Sequence, residues 1–270
     1  MKRRDVVALF HSGAGIDTCR DTRVTVEPYV GVVGRKPRDQ RSGVLYHVTA
    51  RGNVRQDIYL GDEDRETFLG FVSLACEREE LICHAYCLMG NHYHLLVQTP
   101  GANIGSAMHR INCLHANRFN RVYGREGHVF ERPYRASILH GGRRELEAAR
   151  YIDRNPVRAG LCAAPEQWRW SSHAALIGRG PCPAFLSTDR LTTWFGTDES
   201  EARERYRMFV DAGVDAPYER PPLESLLRRG DHAALEAARA AGYSLRAIAA
   251  VVGLSPATLS RRLAHAATEP

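Results

Sequence analysis

Lysine is almost missing from this 270-residue chain: Lys2 and Lys36 are the two that occur, so a net charge of +6 and a pI near 9.0 rest on arginine. A basic surplus favours a polyanionic partner, and the arginine fork suits phosphate. The bias follows just as simply from codon usage, which takes the larger share of it. Long apolar runs are missing too. No segment approaches the ~20 residues that cross a bilayer, and Val6 to Phe10, after Lys2-Arg3-Arg4, is shorter than a signal-peptide core with no clean cleavage site behind it. The expectation is a cytoplasmic protein with no membrane partner. Seven scattered cysteines, an odd number, fit reduced thiols better than a disulfide framework.

What is present suffices for one sizeable core and a smaller module, with 44% hydrophobic and 25% charged residues. Residues 1–42 mix Gly, Pro and charge without a period and read as a loosely ordered basic arm; Gly13-Ala14-Gly15 within it lacks the lysine of a phosphate loop. Periodicity and turn signals then predict a strand at 44–50, an acid-started helix at 62–79 and strands at 81–89 and 92–98. A helix at 103–123, a strand at 129–139 and a helix at 143–155 follow. That order is β-α-β-β-α-β with a helix added. It gives an α+β class, a ferredoxin-like antiparallel sheet with helices on one face.

The most informative run is Leu88-Met89-Gly90-Asn91-His92-Tyr93-His94-Leu95-Leu96-Val97. On a strand, side chains alternate, so His92 and His94 share a face with Cα atoms roughly 7 Å apart, close enough to hold one cation, while Tyr93 points away. Such a pair is more often hydrogen-bonded and half-buried than metal-bound. A zinc reading of Cys83, Cys87, His92 and His94 fails on a straight strand, where the two cysteines stand roughly 13 Å apart. Downstream, Tyr151 sits beside Ala148 and Ile152 at helical spacing, as a packing tyrosine would. Tyr151 and Asn155 are i and i+4, so a hydroxyl and a carboxamide share a helical face, and Pro156 marks the helix end.

Four blocks in order carry a resemblance: Tyr46-His47-Val48-Thr49-Ala50-Arg51-Gly52-Asn53, Gly90 to Val97, Gly127-His128-Val129-Phe130, and Tyr151 to Leu161. Over residues 43–178 the chain resembles the single-tyrosine HUH transposases, most closely the REP-associated tyrosine transposases. Arg169-Trp170-Ser171-Ser172-His173 resembles the family's domain-closing segment. The chain departs from the family at Gly90, often proline there, and at Arg132 or Pro133, where glycine is usual. The resemblance implies His92, His94 and Asn155 as ligands of Mg²⁺ or Mn²⁺ and Tyr151 as the nucleophile. It further implies DNA as partner, single-stranded or in hairpin repeats, and leaves monomer or homodimer open. Candidate DNA contacts are Arg51, Asn53 and Arg55 after the first strand, Arg118 and Arg121 at the end of the second helix, Arg132 and Arg135 in the entry of the last strand, Arg154 on the tyrosine helix and Arg158 just past it. Tyr123 and Tyr134 offer exposed rings for base stacking. His47 is assigned to the core or to a supporting hydrogen bond.

Residues 179–222 read as a connection with one amphipathic stretch, Glu199 to Val210. Residues 223–270 read as a small all-α module: a helix from Leu223 to Ala240, a second capped by Ser244 and ended by Gly253, and a third started by Ser255-Pro256. Leu245, Ile248, Leu254, Leu259 and Leu263 face inward. The pattern resembles a helix-turn-helix, whose second helix would offer Thr258, Ser260, Arg261 and Arg262 to a major groove; a plain helical hairpin is the alternative. Three functions fit: a DNA nicking and strand-transfer enzyme working through a 5′-phosphotyrosine link, a catalytically silent DNA-binding regulator, and a hydrolytic metal nuclease. Intact His92, His94 and Tyr151 speak against the second, and the tyrosine against the third.

Overall fold

The computed structural model of the chain describes residues 40–139, 141–213, 223–228, 231–240 and 243–265. The arm expected over residues 1–42 lies outside the described residues except for its last three, as do residues 214–222 of the connection.

Strands β1 (Leu45–Arg51), β2 (Ile82–Leu88), β3 (His92–Gln98) and β4 (Arg135–Leu139) form one antiparallel sheet in the order β2-β3-β1-β4. Helices α1 (Asp62–Arg78) and α2 (Ile104–Tyr123) complete the β-α-β-β-α-β unit, which is the ferredoxin-like α+β arrangement expected. Alternation along the strands divides the core into two layers. Tyr46, Val48, Tyr93, Leu95 and Val97 pack with Phe68, Val72, Met108 and Ile111 of α1 and α2. Leu45, Ala85, Cys87 and Leu96 pack instead with Leu146 and Ile152 of helix α3 (Gly142–Arg158). The two helices of the unit thus share one face, and the added tyrosine helix covers part of the other. A β-bulge between Cys83 and Ala85 puts Cys83 and Cys87 in different layers.

Two boundaries differ from expectation. The last strand is shorter than 129–139, because Pro133 has no N–H for the ladder and only an isolated bridge joins Phe130 to Gly52. Helix α3 runs past Asn155, with Pro156 inside it. In the final turn the missing proline N–H costs a single bond, and the Ala159 amide still donates to the Asn155 carbonyl at 3.0 Å.

The segment Trp168–His173 seals the edge strand β2. The Leu88 amide donates to the Trp170 carbonyl and the Ser172 amide to the Tyr86 carbonyl, each at 2.9 Å, and the Tyr86 amide donates to Ser172 Oγ. Beyond it come two one-turn helices, α4 (His173–Leu176) and α5 (Asp189–Thr192), and the longer α6 (Glu199–Asp211), capped by Asp198. The stretch read as a connection is therefore a wall of the domain, since Leu191, Ala202, Tyr206, Phe209 and Val210 are buried in the same cluster as α3.

The single helix expected from Leu223 to Ala240 is broken into α7 (Leu223–Leu226) and α8 (His232–Ala240), with Asp231 capping the second through the Ala234 amide. The next two helices, α9 (Leu245–Val251) and α10 (Pro256–His265), follow the sequence reading closely. Ser244 Oγ accepts from the Ala247 amide, Gly253 turns at φ +68°, and Ser255 Oγ accepts from the Thr258 amide. Of the five apolar residues expected to face inward, Ile248 and Leu259 are buried, and Leu245 and Leu263 are half-buried against the same cluster; Leu254 is half-buried. Among the described residues no helix is long and apolar enough to cross a membrane.

Candidate active site

Pairing of β1 with β3 sets Arg51 opposite His92, Thr49 opposite His94 and His47 opposite Leu96. With a period of two, His47, Thr49, Arg51, His92 and His94 all project from the half of the sheet face left open beside α3. The His92 and His94 rings lie 5.1 Å apart. From the helix, Asn155 Nδ2 donates to His94 Nε2 at 3.1 Å, and the same carboxamide hydrogen-bonds His92. Tyr151, one turn earlier, meets the His94 ring edge-on at 5.5 Å and the His47 ring at 5.9 Å. Arg158, at i+7 on that stripe, lies over the tyrosine ring at 5.0 Å.

Burial dominates the electrostatics. It lowers His47 to about 4 and holds His92 below its ordinary value, with Arg51 adding to the effect. His94 falls well below, first through burial and then through His47, His92 and Arg51. All three imidazoles are thus neutral at neutral pH, the state in which they carry a lone pair for a metal. The Nδ1–H of His92 donates to Asn91 Oδ1 at 2.7 Å, which puts the lone pair of the neutral ring on Nε2.

The donor set fits a divalent cation. The His92 and His94 rings stand side by side and the Asn155 carboxamide meets His94, so two imidazole nitrogens and, with the carboxamide turned over, an amide oxygen would suit Mg²⁺ or Mn²⁺ and leave positions for water or phosphate oxygens. Among the described residues no three His, Cys, Asp or Glu side chains form a metal cage, so a third protein donor beside the two histidines would have to be the Asn155 amide. The cavity beside these residues measures ≈ 320 Å³ and is lined by Arg51, Arg132, Arg135 and Glu131 besides the histidines and Tyr151.

The expected DNA contacts divide. Arg51, Arg132 and Arg135 are exposed at the cavity, Asn53 and Arg55 sit in the turn that follows β1, and Arg158 lies on the tyrosine. Arg121 is exposed on α2, in the layer across the sheet, while Ser260, Arg261 and Arg262 are exposed together on α10. Two must be corrected. Arg118 gives one nitrogen to Asp64 and another to Glu63, both at 2.8 Å, and Arg154 Nη1 holds the carbonyls of Val210 and Asp211 at the end of α6, both at 3.1 Å. Each is occupied inside the fold. Tyr134, expected exposed, is 4% exposed, and the Tyr123 hydroxyl donates to Asp64 Oδ2. For His47 the supporting hydrogen bond is what the structure has, from His94 to His47 Nε2 at 3.0 Å.

The sequence profile of the family "Transposase IS200 like" matches residues 40–155. No curated protein matches the chain. A solved structure described as a REP-associated tyrosine transposase bound to a REP hairpin aligns with TM-score 0.47 and 16% identity, covering 57% of this chain and 91% of that one. The matched segment begins just before β1, contains both histidines and ends on the asparagine of the tyrosine helix. Over residues 40–155 the chain is similar to the IS200-like transposases.

Proposed function

We propose that the protein nicks single-stranded DNA, in hairpin or repeat sequences, and transfers the strand through a covalent bond between Tyr151 and the 5′ phosphate. One observation carries this reading: the Tyr151 ring stands 5.5 Å from the ring of His94, whose Nε2 meets Asn155 at 3.1 Å. Nucleophile and cation site thus share one cavity with three exposed arginines.

Arg51, Arg132 and Arg135 would hold the phosphates that flank the scissile one, and fix the register of the strand. Mg²⁺ or Mn²⁺ held by His92, His94 and Asn155 would supply positive charge against the oxygens of the scissile phosphate. Tyr151 then attacks: the Oη–P bond forms as the P–O3′ bond breaks, and the proton given up by the phenol is matched by the one the departing 3′ oxygen takes up. The phosphodiester is exchanged and not hydrolysed, so a 3′ hydroxyl can run the step backwards at another place. Arg158, over the tyrosine ring, helps to hold that ring in place. The exposed Ser260, Arg261 and Arg262 of α10, in the module at 223–270, give a second DNA contact.

The test incubates labelled hairpin DNA from the gene's own flanking repeats with the protein and Mg²⁺ or Mn²⁺, followed by denaturing electrophoresis. A protein–DNA adduct that is lost in Tyr151→Phe is the expected result. Cleavage without an adduct would instead assign a hydrolytic nuclease, and binding without cleavage a regulator.

A further inference from the structure

His47 is the third histidine of the cluster, and no step above uses it. We propose that His47 is a positioning residue that fixes the tautomer and aim of His94, so that a divalent cation meets a lone pair and not an N–H. The proposal rests on the nicking reading and adds to it how the cation site is kept ready.

His94 is 5% exposed, so both of its ring nitrogens must find partners inside the protein. Asn155 Nδ2 carries only donors, so the nitrogen facing it at 3.1 Å, His94 Nε2, presents its lone pair. A neutral imidazole has one N–H, which therefore sits on Nδ1. That N–H points at His47 Nε2, 3.0 Å away, and His47 accepts it. The two rings stack at 5.2 Å with planes 28° apart. Strand register makes the meeting obligatory: Thr49 is opposite His94, and His47, two residues earlier on the same face, is its diagonal neighbour.

Without the acceptor, the Nδ1–H of His94 would be buried and unpaired, and the ring would move its proton to Nε2 or turn. Either change blocks the atom that a cation needs. A histidine serving only as packing would tolerate a flat apolar replacement. A histidine serving as acceptor would not, but could be replaced by an amide whose oxygen reaches the same nitrogen. Partners that orient a metal-bound histidine in this way are commonly worth 10–100-fold in metal affinity.

Mn²⁺ binding to the full chain without DNA, followed by titration calorimetry, separates these cases for wild type, His47→Phe and His47→Gln. His47→Phe should weaken binding about 10–100-fold, and His47→Gln should restore most of the loss. Thermal melts identify any variant that fails to fold, in which case His47→Ala takes the place of His47→Phe. The proposal is overturned if the apolar variant folds and binds Mn²⁺ within twofold of wild type, if Phe and Gln lose equally, or if the wild type binds none. The nicking reading fails on a different readout, the missing Tyr151 adduct in wild type, whatever the Mn²⁺ affinities prove to be.

Discussion

Removal of the Tyr206 hydroxyl should destabilise the protein out of proportion to its size. Asp153 lies two residues beyond Tyr151 on α3, roughly 200° further round the helix, and is fully buried. Its Oδ2 accepts from the Tyr206 hydroxyl at 2.7 Å and from His173 Nδ1 at 2.8 Å, and these two partners come from α6 and from the start of α4. A hydrogen bond to a buried charged acceptor contributes about 1.5–3 kcal/mol, and Oδ1 has no partner to share the load. Tyr206→Phe keeps the ring packed against Phe195 and Phe209 and deletes only the donor. The expected cost is about 2 kcal/mol, or about 4–8 °C in Tm for a unit of this size. Urea and thermal melts of wild type, Tyr206→Phe, Asp153→Ala and the double variant make a cycle. In the Asp153→Ala background the tyrosine change should cost less than about 0.5 kcal/mol, because the acceptor has gone. Asp153→Asn, which keeps an oxygen but not the charge, should fall between. A cost for Tyr206→Phe that is under about 0.5 kcal/mol, or equal in the two backgrounds, refutes the assignment of this carboxylate as the anchor of α3.

Other consequences are as direct. A methyl group on Gly142 would overlap the Trp194 indole, so Gly142→Ala should cost about 3 kcal/mol or abolish soluble expression; Trp194→Leu in the same chain should recover part of the loss, read by thermal melting. Val54 adopts φ +52°, a conformation that costs a β-branched residue about 1–2 kcal/mol. Val54→Asn should therefore add about 0.5–1 kcal/mol to the unfolding free energy, read as a higher urea midpoint, and an unchanged or lower midpoint counts against strain at this turn. His84 and His115 are each lowered by burial from 6.5 to about 4. The unfolded chain then binds more protons than the folded one between these values, so the stabilisation is complete above pH 6.5 and is lost as pH falls to 4. Each depression is worth up to about 3 kcal/mol. Urea midpoints measured from pH 7 to pH 4 should fall steadily, and a flat profile would mean that neither imidazole is held neutral.

The features the sequence made legible are those set by local spacing. Alternation put His92 and His94 on one face, i and i+4 put Tyr151 with Asn155, and the serine caps with Gly253 set the ends of α9 and α10. What it hid depends on partners distant in sequence. His47 is a strand residue like any other until the register of β1 on β3 brings it diagonal to His94. Arg118 and Arg154 looked like free cations because Asp64 and the end of α6 lie 54 and 56 residues away. Tyr134 precedes a short strand, and it is buried in the cluster that β1, β3, α1 and α2 build together. The proline-rich stretch after 179 lacks period because α5 is a single turn and the residues on either side of it are irregular, although Leu191, Trp194 and Phe195 are buried.

The tyrosine helix also shows how direction would be imposed on the proposed nucleophile. Apolar contact is non-directional, and Leu146, Ala149 and Ile152 alone would leave α3 free to roll or slide on the sheet by a fraction of a turn. Reaction at phosphorus needs tighter placement, since an error of about 1 Å at the attacking atom is costly. The polar contacts of α3 supply it. Glu145 takes two hydrogen bonds from Arg190, Arg150 donates to the Phe209 carbonyl, Asp153 holds His173 and Tyr206, and Arg154 holds the last carbonyls of α6. These four residues span nearly three turns of the helix and fix its rotation about the axis and its position along it. All of these partners except His173 belong to residues 189–211, a stretch beyond the end of the matched family segment. The aim of Tyr151 is therefore set by chain that carries none of the proposed catalytic or cation-binding groups itself. Substitutions there should lower the rate of adduct formation while leaving cation affinity at His92 and His94 intact.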